Sequence, residues 1–408
     1  MRRWHFVLSM LLGGVAMGAQ IPAATDLSGK PFFITKTWNI GGEGNWDYLA
    51  LDATAAQLYV AHGPVVQVVD LNAGSLAGAV PGMRDAHGIA LDESGQFGYV
   101  TDGPANRLHI FDRRSLKIVA SASTGPAPRA VVFDPATHLV FAICTQPVSG
   151  RTDHVRGGRA VIDPEVKSLI TVVDGEKQAA VGQILLSGKL GFALADGKDE
   201  IYVSLVDRNQ IAHFNAQTVA TLLQRAATKS DVPQPPGELN WSLGPHAAPP
   251  VGSPLRTFPL GRECQDPRAL AIDGDHQRLF TACGNGRMQV LNTGTGEVVA
   301  TLTIGPGTDA IGYDASRGLI FTANGGGLGS VTVVRQTVTD SYAVVQELPT
   351  QQRARTLAVN PSNGEVYLVT NLEGFDLNRK GTGGGPNTLP VVQTTPVAGS
   401  FQVLVVGN

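Results

Sequence analysis

DAIGYDASRGLIFTAN, residues Asp309 to Asn324, is a short apolar run ending in Asp, a turn, and a second β-rich run closing on Asn. The phrase returns as DYLALD at Asp47 to Asp52, HGIALD at His87 to Asp92, RAVVFD at Arg129 to Asp134 and RALAID at Arg268 to Asp273. RTLAVN at Arg355 to Asn360 repeats it, and GFALAD at Gly191 to Asp196 is a weaker copy. The residues that close the runs (Asp52, Asp92, Asp134, Asp196, Asp273, Asp314 and Asn360) lie 40, 42, 62, 77, 41 and 46 residues apart. A beat of about 40 residues without a helical period is the size of one four-stranded propeller blade. Seven copies predict an all-β, seven-bladed β-propeller, in which the two long intervals are insertions.

Size and composition agree with that reading. The chain has 408 residues, 43% of them hydrophobic, and its 49 Gly and 25 Pro suit many short strands joined by turns. In most copies the residues three and one before the anchor are large, as in Ile89 and Leu91. Those four and two before it are small, as in Gly88 and Ala90. This alternation places large side chains between neighbouring sheets. The copy at Phe192 and Leu194 inverts it, which predicts a register slipped by one residue in blade four.

The termini decide closure. Blade seven takes Arg355–Asn360, Glu365–Thr370 and Phe401–Val406 from the C-terminal end, leaving it one strand short. ITKTWNIG at Ile34 to Gly41 matches VATLTIG at Val299 to Gly305, a fourth strand. The N-terminal strand is therefore expected to complete the last blade and remove the open edges. The propeller spans about residues 30–408, with insertions at about 146–167, 225–256 and 372–400. The first and third are expected between the second and third strands of blades three and seven, and the second after the fourth strand of blade four. That placement would crowd all three onto one rim.

Residues 1–24 stand apart. Arg2 and Arg3 precede an apolar run ending in small residues, the build of a secretory signal peptide. Its removal takes the formal charge from −3 to −5 and leaves a protein expected in the periplasm or outside the cell. Cys264 and Cys283 fall at one end of blade five, and in an oxidising compartment they can bridge or remain thiols; Cys144 is the odd one.

YVTD at Tyr99–Asp102 and FTAN at Phe321–Asn324, with the looser YVAH at Tyr59–His62 and YLVTN at Tyr367–Asn371, resemble the name motif of the periplasmic YVTN-repeat propellers, the YncE-like proteins. The resemblance spans nearly the whole chain after the leader. It implies a seven-bladed propeller whose relatives are linked to DNA or sit beside quinone- or metal-dependent oxidoreductases.

The first residues of the inner strands, Asp47, His87, Arg129, Arg268, Asp309 and Arg355, are expected to point into the mouth of the ring as a ligand site. Asp47, His62, His87 and Asp102 gather at blades one and two in this reading. Two His and two Asp could hold a divalent cation, or a His could act as an acid–base oriented by Asp. The plainer alternative is that these residues cap turns and pair with Arg129. No other cofactor is indicated. Arg129, Arg268, Arg355 and the basic stretch Arg151–Arg159 could receive a small anion or a single-stranded nucleic-acid backbone. The negative charge after leader removal disfavours nucleic acid. A monomeric binding or protein-interaction module is the leading expectation. A metal-dependent hydrolase or lactonase, or a redox-associated propeller, is the rival. The chain has no Cys-x-x-Cys-His, P-loop or His-Glu-x-x-His.

Overall fold

A computed structural model describes residues 29–408 apart from 149–153, 157–158, 162–165, 228–236, 242–248, 250–251, 339 and 376–393. The leader and parts of all three insertions lie outside the described residues.

Seven antiparallel sheets of four strands form a ring, their inner strands touching in sequence from blade one round to blade seven. Blade one runs Trp46–Asp52, Gln57–His62, Val65–Asp70 and Ser75–Pro81, and blades two to six repeat that order. The repeated Asp or Asn works at the first turn. Asp52 Oδ1 accepts the Ala55 N–H at 2.9 Å, Asp92 the Gln96 N–H at 3.1 Å and Asp314 the Ser316 N–H at 3.0 Å. Asp134, Asp196, Asp273 and Asn360 do the same in their blades. Such side-chain caps satisfy backbone donors that the ladder leaves over. The repeat therefore encodes the turn, and the apolar runs on either side encode the strands.

Between blades, the second-strand aromatics Tyr59, Tyr99, Phe141, Tyr202, Phe280, Phe321 and Tyr367 fill the wedges, each at most 4% exposed. Closure is as expected. Phe33–Asn39 pairs antiparallel with Gln402–Gly407, which pairs with Val366–Thr370 and, beyond it, Leu357–Val359.

Blade four departs from expectation twice. The stretch taken for its fourth strand is an α-helix, Ala216–Ala227, started by Asn215, whose Oδ1 accepts the Thr218 N–H at 2.9 Å. Ala216, Val219 and Leu223 recur at helical spacing and are buried. The fourth strand is Leu255–Pro259, so the second insertion lies between the third and fourth strands. It leaves blade four at the rim that holds the Asp-capped turns, opposite the rim expected. From it, Gly237–Trp241 joins blade three as a fifth, parallel edge strand. The three insertions therefore divide between the two rims. The expected register slip is absent, since Leu194 opposes Tyr202 as Ala90 opposes Tyr99. What is inverted is side-chain size: Phe192 and Leu194 stand where most other blades carry small residues. They pack against Leu270 and Ile272 of blade five.

Cys264 and Cys283 form a disulfide with Cα atoms 5.4 Å apart, while Cys144 is a buried free thiol whose pKa burial pushes up to about 12. Among the described residues no helix is long and apolar enough to cross a membrane.

Candidate functional site at the mouth of the ring

Every first strand of blades one to six breaks register near its start. The skipped residues are Asp47 and Tyr48, His87 and Gly88, Arg129, Gly191 and Phe192, Arg268, and Asp309. A β-bulge re-aims the side chain it carries. The bulges turn Asp47, His87 and Arg129 out of the sheets and into a cavity of about 320 Å³ at the mouth, which Arg355 also lines. Four of the six expected ligand residues thus share one space. Arg268 and Asp309 continue its wall, with Asp309 bridging Arg268 at 3.2 Å and Arg355 at 3.4 Å.

The site carries both charge signs. His87 Nδ1 meets Asp47 at 2.8 Å and its Nε2 lies 3.6 Å from Asp85. Asp47 is 3.8 Å from Arg129, whose side chain is 53% exposed, the most open of the mouth cations. Sequence reasoning missed Arg353, which also lines the cavity. It stands in the left-handed region at φ +67°, lies over the Trp46 ring at 4.7 Å and pairs with Glu373 of the third insertion at 2.9 Å. The signal available was its place in the turn entering blade seven, two residues before Arg355. Below the mouth, Tyr48 meets Phe192 across the axis with centroids 5.1 Å apart. Burial, then the carboxylates of Asp47 and Asp309, holds the Tyr48 hydroxyl well above its usual pKa.

The expected cation set of Asp47, His62, His87 and Asp102 does not assemble. His62 turns away to Gln67 at 2.8 Å and stacks on Phe401 at 3.9 Å, lining a separate cavity with Gly42 and Val397. Asp102 is 1% exposed and spends its oxygens on the N–H groups of Arg84, Asp85 and Ala105. Among the described residues no group of three or more His, Cys, Asp or Glu is placed to hold a metal ion. Geometry gives Asp102 the capping role, while His62 is packed and hydrogen-bonded away from the mouth. The basic insertion Arg151–Arg159 lies largely outside the described residues.

Burial lowers the pKa of both His62 and His109 below the ordinary 6.5. A histidine whose folded pKa is depressed takes up its proton more readily when unfolded, so it contributes stability above the unfolded value that drains away as pH falls. Thermal melts should therefore fall from pH 7.5 through 6.5 and below, and His62→Gln should flatten part of that slope. Melts indifferent to pH over this window would contradict the burial assignment.

No family model matches the chain, and no curated protein matches it. Solved structures share the fold. U3-55K aligns over 90% of this chain and 97% of its own with a TM-score of 0.60 and 10% identity. The RRP9 WD40 repeats align over 81% and 88% with 0.58 and 11%, and hydrazine synthase of Kuenenia stuttgartiensis over 79% and 91% with 0.57 and 13%. At these identities the likeness is one of propeller architecture.

Proposed function

We propose that this protein is a secreted binding module that holds a small carboxylate-bearing ligand in the mouth of the propeller. The observation that carries the reading is the single cavity lined by Arg129, Arg353, Arg355, His87 and Asp47, drawn from blades one, two, three and seven. Converging groups on several rigid sheets make a preformed polar site. Arg129, half in water and held by only a long contact to Asp47 among the described residues, is the cation with donors to spare. Asp47, Asp85 and Asp309 neutralise much of the remaining charge, which suits a small ligand with its own donors better than a polyanion. Secretion is supported by the leader-like N-terminus and by the Cys264–Cys283 bridge, which belongs to oxidising compartments. The YVTN-like repeats support the same address. Propellers in known assemblies meet protein partners, as the Mitotic Checkpoint Complex shows with 14% identity and a TM-score of 0.57, and this rim offers such a surface too.

A thermal-shift screen of hydroxy, amino and sugar acids tests the reading. A stabilising carboxylate should lose about tenfold or more in affinity in Arg129→Ala, the usual cost of a charge-assisted hydrogen bond. Its uncharged amide should fail to bind. Hits that bind Arg129→Ala and wild type alike would refute the site.

A further inference from the structure

The opposite rim carries a second cavity, of about 440 Å³, between blades two and three. Its walls are Phe97, Tyr99, Phe133 and His138, and its lip carries Asp92, Glu93 and Glu176. The neighbouring junction shows what this kind of socket accepts. Between blades one and two, Arg113 places its guanidinium over the Tyr59 ring at 5.7 Å. It pairs there with Asp52 and donates to the Asp92 carbonyl at 3.0 Å. Arg113 follows the third strand of blade two directly, and Tyr59 and Asp52 belong to blade one.

Moved on by one blade, Tyr59 becomes Tyr99, Asp52 becomes Asp92 and Arg113 becomes Gly175. Gly175 sits in the corresponding place: a Cβ there would lie 2.7 Å from the Tyr99 hydroxyl. The chain's own guanidinium is thus replaced by a residue with no side chain, and the aromatic and acidic surface faces a cavity instead. Two groups are left without their counterparts' partners. The Tyr59 hydroxyl donates to Gln57 at 2.8 Å, but Phe97 stands in the Gln57 position. Tyr99, 1% exposed, accordingly donates no hydrogen bond among the described residues. Asp134, fully buried, keeps Oδ1 without a partner, although Asp92, its counterpart, lies 3.6 Å from Arg113. Burial, reinforced by the Asp92 and Asp174 carboxylates, pushes the Tyr99 hydroxyl up to about 12. Asp92 itself also accepts from Ser94 at 2.7 Å and Gln96 at 3.1 Å, while Glu93 and Glu176 have no ion-pair partner among the described residues.

We propose that the cavity between blades two and three binds a guanidinium group supplied from outside the chain, held between the half-buried Phe133 ring and the acidic lip. The planar cation stacks on the Phe133 ring, which itself covers Tyr99 with centroids 5.8 Å apart, and its donors reach the acidic lip, the pairing that arginine favours.

Calorimetry on the full chain tests this with N-acetyl-arginine amide against N-acetyl-citrulline amide, which has nearly the same shape without the charge. The arginine compound should bind saturably, and the citrulline compound about tenfold or more weaker. Glu93→Gln/Glu176→Gln, at exposed positions, should weaken arginine about fivefold with melting unchanged, and Phe133→Leu should weaken it by a similar factor with a lowered but still cooperative melt. Equal binding of the two compounds, no saturable arginine binding, or variants that bind as wild type would overturn the proposal. Agmatine and an arginine-containing peptide separate the sources. Tighter binding of the peptide assigns a protein partner, and equal binding assigns a free small molecule.

Discussion

Removing residues 29–39 is expected to abolish cooperative folding. The strand Phe33–Asn39 is the outer cover of Gln402–Gly407, whose six residues are all buried. Phe32 packs edge-on to Phe321 of blade six at 5.2 Å, and its backbone exchanges hydrogen bonds with Gln346 at 2.8 and 2.7 Å. Trp38 stacks on Tyr367 at 5.9 Å. The deletion strips the ladder partners of the C-terminal strand and the apolar cover of Phe32, Ile34 and Trp38. Its loss is on the order of 5–10 kcal/mol, comparable with the whole stability of a typical domain. It also opens an apolar edge to pairing between copies. Gel filtration should give aggregate and circular dichroism no sigmoidal melt. A monomer melting within a few degrees of wild type would show that the ring closes without its N-terminal strand.

Replacing both Cys264 and Cys283 by Ala is expected to cost about 3 kcal/mol, the chain-entropy value for a loop of this size. The bridge spans 19 residues and pins the linker before blade five to the end of that blade's second strand. Both residues are fully buried in the cluster that also holds Leu260, Leu270 and Leu279, so each Ala removes packing as well as a crosslink. Urea unfolding under non-reducing conditions measures it. A midpoint equal to wild type would mean that the bridge constrains nothing.

The ring was readable because its signal is repeated. Seven capped turns, each preceded by an alternating strand, leave little choice of architecture, and the odd count of C-terminal strands points to the N-terminal one. Single events were harder. Ala216–Ala227 carried helix signals in the spacing of Ala216, Val219 and Leu223 and in the Asn215–Thr218 start, but it falls where the repeat supplies a fourth strand elsewhere, and the repeat outweighed them. That one misassignment moved an insertion to the wrong rim. At the mouth, position along the first strand located Asp47, His87 and Arg129, because the bulges fall at the same place in successive copies, and Arg355 by its equivalent place in the repeat phrase. Which neighbours would claim His62 and Asp102 depended on partners such as Gln67, Phe401 and the Arg84 N–H, and spacing alone carries no information about them. Arg353 was missed because it precedes the repeat phrase and lies in the turn that enters it.

Hydrogen–deuterium exchange with a saturating carboxylate from the screen tests the mouth site most directly. Protection is predicted in four separate segments that the ring alone brings together: residues 45–48, 86–88, 128–130 and 353–355. Protection confined to the opposite rim, around residues 92–97 and 135–138, or absent from these four segments, would contradict the account.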